Sequence, residues 1–128
     1  MSRDEACAFW ARAKAALDAA EKNLAIDPFT AVNRAYYAAF YAVSALFALE
    51  ELSFRKHSAV EAALHGQLVK TGRWSVERGA DYRALNRLRS TGDYDVFVDL
   101  PPEGASGAVE KAMRILRAVQ LERSDVFV

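Results

Sequence analysis

The stretch from Asn33 to Ser44, NRAYYAAFYAVS, decides how this chain folds. Within it Asn33, Tyr37, Phe40, Tyr41 and Ser44 recur at i, i+4, i+7, i+8 and i+11, so they lie along one face of a helix. That face is too polar for a plain core. Asn33 and each Tyr hydroxyl both donate and accept, and the neighbouring Arg34 carries five donors. Burying such groups without partners costs about 1–3 kcal/mol each. Either neighbouring helices satisfy them, or they line a cleft or a subunit interface. The alanines at 35, 38, 39, 42, 45 and 48 let another helix approach closely. At about 22 residues the helix spans roughly 33 Å, the length of a small domain.

Upstream, Phe9, Ala13, Ala16, Leu17, Ala20 and Leu24 follow a 3.6-residue period, with Arg12, Lys14, Asp18 and Lys22 on the other side, which predicts an amphipathic first helix from about Arg3 to Leu24. Pro28 disfavours helical geometry at Asp27 and suits a first helical turn, so the central helix begins there and runs to about Glu51. Downstream, Ser58 and Glu61 stand at capping-box spacing ahead of Val60, Leu64 and Leu68, a third helix that Thr71-Gly72 closes. A fourth helix is expected from Val76 to about Ser90, ended by Gly92, and a fifth from about Ala105 to Glu122 after Pro101-Pro102. Only VFVDL, residues 96–100, alternates like a strand, and it is too short to make a sheet. The expectation is an all-α, up-and-down bundle of four to five helices occupying residues 1–128 as one domain.

Composition limits the chemistry. Seventeen basic residues balance seventeen acidic ones, so any pull on a polyanion must be local. The single cysteine, Cys7, excludes an internal disulfide and, with only His57 and His65, cannot build a zinc site. The charged N-terminus lacks the apolar segment of a signal peptide, and nowhere do eighteen apolar residues run on, so a soluble, cytoplasmic protein without membrane spans is expected. The glycines are scattered with no GK[ST], and HExxH and G-x-S-x-G are absent, which sets aside P-loop, metalloprotease and acyl-transfer chemistry. No cofactor or metal is expected. What remains is a set of Arg, Asn, Tyr, His and Asp residues suited to phosphates through guanidinium contacts and proton transfer. Lys56 and His57 precede a helix N-terminus and read either as an anion site or as a solvated loop. Arg89, Asp93 and Tyr94 gather at the end of the fourth helix, as a functional centre or as a structural Arg–Asp pair.

Together, NRAYYAAFYAV in the second helix, KHSAV opening the third, LVKTG closing it and LRSTGDYD after the fourth resemble the HEPN family, over roughly residues 5 to 122. The resemblance implies a helical bundle, usually dimeric, often paired with a small nucleotidyltransferase in a toxin–antitoxin or stress-response system. Many members are metal-independent ribonucleases that use an arginine followed, four to six residues later, by a histidine, contributed by both subunits. In this chain the arginine matches Arg89, but Tyr94 stands where those members carry histidine. With an unperturbed pKa of about 10 against about 6.5, tyrosine is a poor general base at neutral pH.

Two readings follow. In the first, the protein is a dimeric component that binds a nucleotide or RNA phosphate and a nucleotidyltransferase partner, with Asn33, Arg34, Tyr37, Lys56 and His57 helping to hold the phosphate. In the second it is a metal-independent endoribonuclease, in which Arg89 stabilises the phosphate and Asp93, Tyr94 or His57 moves protons. Helices two and four are expected to form the homodimer, because Tyr36, Tyr37, Tyr41, Tyr82, Arg83 and Arg87 exceed what one core of this size would bury.

Overall fold

The computed structural model describes residues 2–94 and 100–128, and for residues 92–94 and 102 the backbone alone. The described residues form five α-helices: α1 (Ser2–Asn23), α2 (Pro28–Leu49), α3 (His57–Ala63), α4 (Val76–Tyr94) and α5 (Pro102–Glu122). Helix α3 runs on into a wider π-helical turn, Leu64–Val69, whose last bond goes from the Lys70 amide to the His65 carbonyl. Helix α2 is the central element and packs against α1, α4 and α5. Among the described residues no helix is long and apolar enough to cross a membrane.

Local chemistry explains the boundaries. Asp27 caps α2: its carboxylate accepts from the Phe29 amide and the Thr30 hydroxyl, and Pro28 occupies the first turn, where its missing N–H costs nothing. Alanines 31, 35, 38, 39, 42, 45 and 48 of α2 are all buried, as are Ala6, Ala13, Ala16 and Ala20 of α1. Small side chains on both helices let the two backbones close together. Trp10, which the periodicity did not single out, completes the buried face of α1 and packs on Phe127 with ring centroids 5.1 Å apart. Gly72, at φ +83, takes the left-handed turn that closes the third helical segment.

Two expected boundaries are corrected. Gly92 does not end α4, which continues to Tyr94. A glycine inside a helix costs only about 1 kcal/mol, too little to stop one that its neighbours favour. Ser58 does not cap α3 either: the cap position falls on Lys56, without a side-chain hydrogen bond. Glu61, the other half of the expected capping box, accepts instead from Asn86 Nδ2 of α4 at 2.9 Å. Residues 95–99, which hold most of VFVDL, lie outside the described residues.

Ion pairs join the ends of the bundle. Arg73 Nη2 reaches Glu50 at 2.7 Å and Glu122 at 3.1 Å, tying the turn before α4 to the ends of α2 and α5. The buried Asp81 accepts two hydrogen bonds from Arg114 of α5, at 3.1 and 3.0 Å, and Arg78 Nε lies 3.2 Å from the same carboxylate.

Candidate functional site

Where α2, α3 and α4 meet, the structure assembles a cluster that the linear sequence scatters. Tyr36 of α2 lies at its centre with no exposed surface. The Arg89 guanidinium sits over the Tyr36 ring, 4.6 Å from its centroid, and Arg89 Nη2 donates to Asn86 Oδ1 at 3.1 Å. Asn86 in turn donates to Glu61, whose second oxygen faces His65 Nε2 at 3.6 Å. Arginine, amide and carboxylate thus follow one another from α4 to α3, orienting the guanidinium before any ligand arrives.

His57 enters the cluster from the other side. Its Nδ1 hydrogen-bonds with the Tyr36 hydroxyl at 3.2 Å, and its ring lies 4.2 Å from Phe40 and 5.5 Å from Tyr37. Burial, and then the nearby Arg89 charge, push the His57 pKa below its ordinary value, so the ring is neutral at pH 7. With Nδ1 engaged by Tyr36, Nε2 is the nitrogen left to face a ligand. Burial raises the Tyr36 phenol, though Tyr82 and Arg89 pull part of the way back. Tyr82 is buried more deeply, and desolvation lifts its phenol well above the usual value. Both hydroxyls stay protonated at neutral pH and can only donate or accept, not serve as bases.

The expected site residues therefore divide. Arg89 and His57 come together, as do Tyr37 and His57. Asn33 pairs with its neighbour, accepting from Arg34 Nε at 3.2 Å and Nη2 at 2.9 Å, and Arg34 lies over the Tyr37 ring at 5.0 Å. Lys56 is exposed, whereas His57 turns inward to the aromatic rings, so the two do not form one basic site at the start of α3. The side chains of Asp93 and Tyr94 lie outside the described residues; their backbone continues α4 one turn beyond Arg89. Among the described residues no group of His, Cys, Asp or Glu could hold a metal ion. Sequence reasoning missed Asn86 and Glu61 as supports of Arg89. Only the i, i+3 spacing of Asn86 and Arg89 hinted at one of them.

A guanidinium fixed on an aromatic ring beside a neutral imidazole, in a helical bundle, agrees with the family that the motifs resemble, and comparison settles the matter: residues 6–123 match the HEPN domain. The chain belongs to the HEPN domain family. This HEPN protein is 41% identical over 114 residues to a Thermotoga maritima protein named "UPF0332 protein", an alignment covering 88% of this chain and 86% of that one. It is 33% identical over 102 residues to a Methanocaldococcus jannaschii protein named "Putative toxin MJ0142", covering 78% of this chain and 69% of that one.

Proposed function

We propose that this HEPN protein is a homodimeric component of a toxin–antitoxin or stress-response pair, which binds an RNA or nucleotide phosphate at Arg89 and engages a nucleotidyltransferase partner. The observation that carries the reading is the Arg89 guanidinium, stacked on Tyr36 and oriented by Asn86. An oriented planar fork binds two phosphate oxygens with little further ordering to pay for, which favours affinity. The two buried phenols near it stay protonated and add no negative charge that would compete with a phosphate. The exposed Arg83 and Arg87 of α4 support pairing with a second copy, since arginine side chains favour interfaces. Tyr36 and Tyr82 do not add to that argument, because both are buried within the single chain.

Fluorescence anisotropy with a labelled oligoribonucleotide tests the binding: wild type should bind, and Arg89→Ala should bind at least about tenfold more weakly. Equal affinities would reject the site.

His57 favours a second reading, metal-independent endoribonuclease activity. With Nδ1–H donating to the Tyr36 hydroxyl, a neutral imidazole near Arg89 could accept the proton of a ribose 2′-hydroxyl through Nε2 while Arg89 holds the phosphate, a role Tyr94 cannot fill at neutral pH. Incubation with total RNA in EDTA decides between the readings. Cleavage by wild type, lost in both His57→Ala and Arg89→Ala, makes the protein a nuclease; no cleavage leaves it a binding component.

A further inference from the structure

The Arg89 cluster is one end of a longer strip. Tyr37 packs edge-on against Tyr36 at 5.2 Å, and Tyr41, one helical turn on, lies 5.9 Å from Tyr37. Tyr41 also stacks on Phe9 of α1, and Arg12 of α1 lies 5.9 Å from the Tyr41 ring centre. Beyond that ring, Arg12, Arg34 and Tyr41 surround an open depression of about 270 Å³ floored by Ala15, Ala16 and Ala19. Among the described residues neither Arg12 nor Arg34 forms a salt bridge with a carboxylate. Two guanidinium groups therefore flank one hollow, each over a tyrosine ring, with an alanine floor that leaves room for an occupant.

We infer that this α1–α2 hollow is a second phosphate subsite, and that single-stranded RNA held at Arg89 continues across Tyr37 and Tyr41 to reach it. The inference rests on the reading of Arg89 as a phosphate anchor, and it adds a length of strand and a direction. Flat rings alternating with cations are what an unpaired strand requires: bases stack on the rings and phosphates meet the guanidinium forks, whatever the base sequence. A duplex keeps its bases stacked inside and could not use the tyrosines in this way. The balanced net charge does not oppose the idea, because the attraction is local to the strip.

The test is anisotropy with labelled single-stranded RNAs of about three and about twelve nucleotides, lengths that reach one anchor or the whole strip. Arg12→Ala and Tyr41→Ala change residues at the far end only, and thermal melts verify that both variants fold. Wild type should bind the longer strand more tightly. Tyr41→Ala should weaken that strand about five- to hundredfold, and Arg12→Ala should lower its salt slope by about 0.7, with neither change affecting the short strand. Unchanged affinity for the longer strand in both variants overturns the subsite. So does a change in oligomeric mass caused by either substitution, which would make the face a surface between copies. If instead Arg89→Ala leaves the short strand unaffected while the far-end variants lose the long one, the Arg89 reading fails and the subsite stands. No binding of either strand by wild type overturns both.

Discussion

At the scale of single residues, Arg89 and His57 carry the expectations. Arg89→Lys keeps the charge but loses the fork and the flat stack on Tyr36, so phosphate affinity should fall nearly as far as in Arg89→Ala, which a side-by-side anisotropy titration would check. Both variants should remain folded. The stacked cation and the hydrogen bond to Asn86 account for about 1–3 kcal/mol of the loss, short of the total stability of a domain this size, and thermal melts of both variants check the fold. His57 sets a pH dependence whose sign follows from its depressed pKa. Between the folded value and about 6.5 the unfolded chain binds more protons than the native one, so stability falls as pH drops through that window and is restored above it. His57→Gln should flatten the dependence of Tm on pH between about 5 and 7 relative to wild type, while His65→Gln should not remove the part due to His57. His57 also marks the limit of sequence reasoning at this scale. Arg89 was legible because a motif surrounds it, but the approach of His57 depends on α3 packing across α2, and no spacing between residues 57 and 89 encodes that.

Among elements, the helices were readable wherever a local rule acts alone. The Asp27-Pro28 start of α2 needs only its own side chain and ring, and the structure keeps it. The ends of α3 and α4 were less legible because tertiary partners compete there: Asn86 takes Glu61 from the capping box, and α4 runs through Gly92. Two glycines turn this contrast into a measurement. At Gly66, in the π-helical turn, an added methyl group meets nothing within 4 Å. Gly66→Ala should therefore stabilise the fold by about 0.5–1 kcal/mol through reduced freedom of the unfolded chain. At Gly79 the same group would lie 2.9 Å from Val69 Cγ2 and 3.2 Å from the His65 ring, so α4 approaches the π-helical turn too closely for a side chain. Gly79→Ala should destabilise by about 1–2 kcal/mol, overpacking outweighing the gain in helix propensity. Urea denaturation of the two variants gives both signs, and a stabilised Gly79→Ala would refute the close packing.

For the whole molecule, the proposed homodimer predicts a light-scattering mass of twice the 14.2 kDa chain at micromolar concentration. A mass equal to one chain would remove it. The all-α architecture was legible because five apolar periodicities at 3.6 residues left little room for strands. The site was legible only in part, since its chemistry depends on how α2, α3 and α4 meet. The burial of Trp10 against Phe127 has a consequence for how the chain assembles. The indole N–H of Trp10 donates to the Val128 carbonyl, 118 positions along the chain, and Phe127 is fully enclosed. Helices α1 and α2 are sequence neighbours and can pair early, whereas the segment that covers Trp10 must close a loop of 118 positions. During synthesis, therefore, α1 leaves the ribosome with its tryptophan face uncovered, and that face stays open until Phe127 and Val128 have emerged.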